Sequence, residues 1–342
     1  MTMFGLDPLP RSLEAALRDV RHPKTGVRAS AVRDLSRLAG DDDGGRATTA
    51  LVEALSRDVS AEVRAAAAVA LADAGSRTAV DALLDAVEDS HLSVRQMALL
   101  AIGELAEGDD ERVREVVERA VEAEAPSLRF QGIIASQRLG TPGAESVLLR
   151  ATRDADAQVR HVAYRLLEER ASTDGDELRP SDEALAAARE GIEDAVPSVR
   201  LAAAILLARS GDRSGHAVLV EAVTRPRQRI EADDEQAAIA LAGELGLAEA
   251  RLGLVKRAWG GFFGRDRFAY EARIALARMG DARARAAILR DLQAWSRDAR
   301  TLAVIAAGRA RIAEARPAIL AMRGDDRRAP PEAVDEALSL LG

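Results

Sequence analysis

A phrase in which an aspartate stands six residues before the arginine of a Val-Arg pair recurs along this chain, and its spacing limits what the chain can fold into. Asp58 leads to Val63-Arg64, Asp89 to Val94-Arg95, Asp154 to Val159-Arg160 and Asp194 to Val199-Arg200. Two degenerate copies keep the register, His22 before Val27-Arg28 and Ala123 before Leu128-Arg129. The six arginines lie 36, 31, 34, 31 and 40 residues apart. Seven residues beyond each arginine comes an apolar residue (Leu35, Leu71, Ile102, Leu167, Leu207), with Ser136 as the exception. A glycine often follows, at 40, 75, 140 and 211. Self-similarity at this period marks a solenoid, in which each unit buries its apolar face only by stacking on its neighbours.

The units read as pairs of helices. In the second, Leu51, Val52 and Leu55 form one stripe of a first helix, A. Asp58 and Ser60 mark a turn and cap, and AEVRAAAAVALADAG reads as a second helix, B, ending at Gly75. Apolar spacing of three and four residues supports helices, and the Ser/Asp and Gly signals set their ends. About ten such hairpins are expected between residues 10 and 342, with no strand-like alternation. The expected organisation is one array over 1–342: a tail at 1–9, regular repeats over 10–211 and divergent repeats over 212–342.

The wording SAEVRAAAAVALADAG, LSVRQMALLAIGELAEG, DAQVRHVAYRLLEER and VPSVRLAAAILLARSG, each with its aspartate upstream, resembles the HEAT repeat, specifically the short form called PBS-lyase HEAT-like. The resemblance implies an all-α fold, a right-handed α-solenoid with A helices on the convex face and B helices on the concave face. It also implies stacked Asp–Arg pairs between neighbouring repeats. On that reading Asp58, Arg64, Asp89, Arg95, Asp154, Arg160, Asp194 and Arg200 form an internal ladder that fixes register. The alternative is a ligand-binding arginine stripe.

Several HEAT-like families are enzymes, and their chemistry demands residues that can be looked for. The chain has no cysteine, which removes disulfides, zinc-thiolate sites and cysteine nucleophiles. Its four histidines are followed by Pro23, Leu92, Val162 and Ala217, so the His-Glu pairs of the di-iron HEAT hydroxylases are missing. An alkylpurine DNA glycosylase needs a basic, aromatic face around an extruded base, whereas this chain has two tryptophans and a net charge of -8. Nothing marks a bilin site, and a shared scaffold does not transfer function. No Gly-Lys-Ser/Thr follows Gly260, Gly261 and Gly264, so they form no phosphate loop. The expectation is no enzyme, no cofactor and no metal. No apolar run approaches a membrane span and no signal peptide is evident, so a cytoplasmic protein without membrane insertion is expected. Only Lys24 and Lys256 are lysine among 48 basic residues, which reads as a high-GC genome and not as a nucleic-acid signature.

The repeats break their own rule in units seven and eight. Counting back from Gly246 and Gly280 puts Glu235 and Ala269 at the arginine position. The turns there are long: TRPRQRIEADDE, with Arg225 and Arg227, and KRAWGGFFGRDRFAY, with Arg265 and Arg267. Five of nine aromatics fall between 259 and 270: Trp259, Phe262, Phe263, Phe268 and Tyr270. Phe268 stands at the repeat's core valine position. Trp259, Phe262 and Phe263 have no repeat equivalent, and they are either a plug over an enlarged junction or a protruding hot spot. Residues 1–223 carry 27 basic and 39 acidic side chains, and 224–342 carry 21 and 17. Three arginines in one turn do not make a nucleic-acid site.

The reading that follows is a non-enzymatic scaffold or adaptor. It would bind another protein, such as a signalling protein or small GTPase, through the concave B face. An edge of Trp259, Phe262, Phe263, Arg225, Arg227, Arg265 and Arg267 would add to that contact. A nucleic-acid-binding protein and a lyase-like enzyme are the alternatives, and no small-molecule substrate is evident.

Overall fold

The computed structural model describes residues 11–41, 45–173, 179–225, 230–260 and 266–342. Among them every regular element is helical, and the chain groups into two compact units, Met1–Leu166 and Leu167–Gly342. The division falls inside a helix, well before the change from regular to divergent repeats at 212.

The first unit holds α1 (Leu13–Asp19), α2 (Thr25–Leu38), α3 (Arg46–Arg57), α4 (Ala61–Asp73), α5 (Val80–Ala86), α6 (Leu92–Leu105), α7 (Glu111–Val121), α8 (Pro126–Arg138), α9 (Ala144–Ala151) and the start of α10 (Ala157–Thr173). Each odd helix from α1 to α7 packs on the even helix that follows it, as A and B of one hairpin. The even helices also pack directly on one another, α2 on α4, α4 on α6 and α6 on α8, whereas the odd helices meet one another sparsely. Within this unit the B helices therefore form the tighter layer.

The second unit repeats the scheme with α11 (Asp182–Gly191), α12 (Pro197–Arg209), α13 (His216–Thr224), α14 (Ala232–Glu244), α15 (Arg251–Trp259), α16 (Ala269–Arg278), α17 (Ala282–Asp291), α18 (Arg297–Arg309), α19 (Arg316–Leu320) and α20 (Pro331–Leu341). Helix α12 is buried without a break from Leu201 to Ala208. That is the cost of lying in the middle: α11, α13 and α14 cover three of its sides. A helix buried nearly all round has no polar stripe, which is why its sequence, LAAAILLA, is not amphipathic.

Alanine and glycine set how closely the B layer packs. A side chain on Gly243 would sit 2.5 Å from the Ala275 Cα, and one on Gly308 would sit 2.7 Å from the Ala337 Cα. Both glycines stand eight residues after the repeat's arginine position, as does Gly103 against Ala135. The apolar residue one position earlier has a backbone duty as well. The Leu71 carbonyl accepts from Ser76 N at 3.0 Å while Gly75 turns left-handed at φ 63°, which closes a Schellman cap. Leu207, Ala242, Leu276 and Ala307 accept the equivalent bond. At the last of these the turn residue is Arg311, at φ 52°, so the glycine rule is broken without changing the cap.

Candidate functional site

The sequence's candidate residues fall into two groups, the Asp–Arg phrase and the edge at 225–270. In the first unit, three arginines of the phrase reach forward to the aspartate of the next hairpin. Arg28 grips Asp58 with Nε and Nη2 at 2.6 and 2.8 Å, Arg64 grips Asp89 at 2.7 and 2.8 Å, and Arg129 grips Asp154 at 2.7 and 2.7 Å. The remaining Nη1 points back to its own turn. Arg64 donates to the Asp58 carbonyl at 2.8 Å, and Arg129 to the carbonyls of Ala123 and Glu124 at 2.9 and 2.7 Å. Each aspartate also caps its turn: Oδ1 of Asp58, Asp89, Asp154 and Asp194 accepts the amide two residues on, at 2.8 Å in all four.

Arg95 departs from this pattern. Its Nη1 donates to the carbonyls of Asp89 and Ser90 at 2.7 and 3.4 Å, but the next hairpin offers Ala123 where a carboxylate would stand. Arg160 donates to the carbonyls of Asp154 and Ala155, and Arg200 to those of Asp194 and Ala195. The electrostatics follow the geometry. The Arg64 guanidinium holds the Asp89 carboxyl down to about 2, against some opposing desolvation and with help from the His91 amide. Burial pushes the Asp58 carboxyl up, but hydrogen bonds from Arg28 and the Ser60 amide outweigh it and leave the carboxyl below its ordinary value.

At the second group the repeat's polarity is inverted. Glu235, at the arginine position of α14, is buried and accepts from the buried Arg257 at 2.7 Å and from Arg267 at 2.5 Å. Arg257 also donates to the carbonyls of Val223 and Ala222 at 2.8 and 3.1 Å and lies 3.3 Å from Asp266. A buried charge needs both a counter-charge and satisfied donors, and here the compensation is built from α15. Arg257 was the residue the repeat could not foretell, because it lies on an A helix outside the phrase.

Trp259 is half-buried and packs on the core of the second unit, with the Arg283 guanidinium 4.2 Å above its ring. Phe268 is buried, and Arg267 lies over its ring at 4.6 Å. Tyr270 packs on the same core. Burial, aided by the Asp291 charge, raises its hydroxyl to about 12. Arg225 is exposed and pairs with Glu221 at 2.9 Å. Arg227, Phe262, Phe263 and Arg265 lie outside the described residues.

The B layer has an open face of its own. Five residues after the arginine position stand Val69, Leu100 and Ile134 in the first unit and Ala240, Ile274 and Ile305 in the second, all partly exposed. In the second unit Ala240 and Ile274 floor a shallow groove of about 40 Å³ flanked by Glu244, Arg278 and Arg309. No described group of His, Asp or Glu side chains is arranged to hold a metal ion. No described helix is long and apolar enough to cross a membrane.

A family model described as HEAT repeats matches residues 48–135. The matched stretch runs from α3 into α8 and includes the Arg64–Asp89 pair. No curated protein matches the sequence significantly. Among solved structures, E. coli YibA is similar at 17% identity and a TM-score of 0.52, covering 80% of this chain and 93% of its own. The likeness is one of fold. The CpcE–CpcF complex of phycocyanin lyase from Nostoc sp. PCC7120 aligns at 16% identity and a TM-score of 0.45, over 75% of this chain and 97% of that one. Kap121p bound to Pho4p aligns at 12% and 0.49, over 95% of this chain and 41% of that one.

Proposed function

We propose that this chain is a non-enzymatic HEAT-repeat scaffold that holds a protein partner on the open face of its B helices. The observation that carries this reading is a set of partly exposed apolar side chains at one repeat position on three B helices of each unit: Val69, Leu100 and Ile134 in one, Ala240, Ile274 and Ile305 in the other. A repeat that sets an apolar side chain at the same open position on successive helices offers an extended stripe for a partner's apolar groups, with charged pairs such as Glu244–Arg278 at its rim. The closer packing of B helices than of A helices supports a concave stripe. Of the edge at 225–270, Trp259 packs inward and Arg267 is held by Glu235. We therefore assign the main apolar contact to the B face and leave Arg225 as a marginal one.

A photo-crosslinking amino acid at Ile274 tests this against one at Leu252, an exposed residue of α15. The reading expects a discrete crosslinked partner from position 274 and none from 252, with Leu100→Asp or Ile305→Asp weakening capture while helicity is kept. Equal labelling from the two positions, or capture indifferent to the aspartates, would overturn it.

A further inference from the structure

The residue that follows the phrase's aspartate points into solvent in every hairpin where the phrase is clear. Val59, Ser90, Ala155 and Ala195 are all exposed there, as is Glu124 after the degenerate copy's Ala123. In the ninth hairpin the same position, one residue after Ala294, is Trp295, and it is 98% exposed. The largest apolar side chain thus occupies the position that contributes least to folding.

The charges around it are unusual. Arg300 stands at the repeat's arginine position, but where a carboxylate of the next hairpin should meet it there are only carbonyls. Its Nη2 donates to Arg327 O at 2.9 Å and its Nε to Arg328 O at 3.0 Å. Its Nη1 holds the carbonyls of Ala294 and Trp295, both at 2.8 Å, so the tryptophan's backbone is pinned while its ring is free. Arg297 ties the same two turns together through Asp326 O at 2.7 Å. These bonds bring Trp295, Arg297, Arg300, Arg327 and Arg328 onto one edge. Among the described residues none of the four guanidinium groups pairs with a carboxylate, whereas nearby Arg285, Arg323 and Arg251 pair with Glu314, Asp335 and Asp281. Residues 283–328 hold 11 basic and 5 acidic side chains in a chain of net charge -8.

We infer that this edge is a second docking surface, for an acidic protein segment that carries an apolar side chain. The inference rests on the scaffold reading and adds the chemistry of one partner. A partner's carboxylates would replace the ion pairs that the ladder lacks at its end, and its apolar group would cover Trp295. An aromatic anchor beside arginines is the composition that concentrates binding energy at interfaces. With its backbone already fixed, Trp295 has only its two side-chain torsions to order on binding.

Fluorescence anisotropy of a labelled oligoglutamate peptide carrying one phenylalanine tests the surface on the full chain. The expected result is saturable binding that weakens with salt. It should fall about ten-fold or more in Trp295→Ala and in the Arg327→Ala/Arg328→Ala double variant, both with unchanged helicity. Binding that survives Trp295→Ala, or that is displaced by oligothymidylate more readily than by unlabelled peptide, would overturn the inference. Crosslinking from position 274 separates the two readings. If it persists while the peptide fails to bind, only this edge is lost; if it fails while the peptide binds through Trp295, the B-face assignment is lost.

Discussion

Arg64 and Asp89 join neighbouring hairpins through a two-pronged ion pair, Nε to Oδ2 at 2.7 Å and Nη2 to Oδ1 at 2.8 Å. The same guanidinium reaches back to the Asp58 carbonyl, and the same carboxylate accepts the His91 amide. One arginine therefore fixes its own turn and the next hairpin together. Its planar fork suits both tasks at once, which a lysine could not do. Arg95, with carbonyls alone, keeps only the first task.

This asymmetry sets the first expectation. Arg64→Ala leaves the mostly buried Asp89 carboxylate without its counter-charge and should cost about 1–3 kcal/mol. Arg95→Ala strands no carboxylate and should cost less, about 1 kcal/mol or below. Urea unfolding of the two variants under one set of conditions compares them. Equal losses would show that the carbonyl contacts, and not the ion pair, carry the ladder's contribution.

Acid should weaken the same ladder. The Asp89 carboxyl is held at about 2, below the roughly 3.9 of an unfolded aspartate. A depressed carboxyl contributes stability above its unfolded value and loses it as pH falls through its folded value. Asp58 and Asp154 are lowered in the same sense. Stability should therefore drop as pH falls from about 4 toward about 2, with Asp89 supplying about 1–2 kcal/mol of the drop after solvent screening. In Asp89→Asn the curve should be flatter over that window, and a parallel curve would exclude the carboxylate as its source.

Much of this architecture is written in the sequence because it repeats. The phrase, the apolar residue seven positions on and the closing glycine each do one physical job per hairpin, and repetition makes the job visible. Features that occur once are hidden. Arg257 answers Glu235 from an A helix, and no period relates the two residues. Trp295 and Arg300 belong to a copy of the phrase whose aspartate, valine and glycine have become Ala294, Ala299 and Arg311, so that only the arginine is left to recognise. Phe268 packs on the core as its place at the repeat's valine position implies, whereas Trp259 packs there with no periodic cue.

Restoring the repeat's consensus at Glu235 should harm the protein. Glu235→Arg would set a third cation beside the buried Arg257 and against Arg267, with Asp266 as the remaining carboxylate. Breaking a buried pair costs about 3–5 kcal/mol, and a like charge adds to that. The variant should lose most of its cooperative melting, and Glu235→Arg combined with Arg257→Glu should recover part of it. A stable single variant would show that the second unit accepts the ordinary ladder polarity.

The two tryptophans should behave oppositely when truncated. Trp259 packs on the core and lies under Arg283, so Trp259→Ala opens a partly filled cavity and removes a cation–π contact. For a half-buried ring the loss should be about 2–3 kcal/mol, below that of a fully buried one. Trp295 touches so little of its own chain that Trp295→Ala should stay within about 0.5 kcal/mol of the parent. Denaturant titrations followed by far-ultraviolet circular dichroism make the comparison without relying on either ring's fluorescence. If Trp259→Ala melts like the parent, its ring is not seated on the core, and the edge at 225–270 regains its claim as a contact surface. If Trp295→Ala is the destabilised one, the ring is packed on its own chain, and it cannot serve as an exposed anchor for an acidic partner.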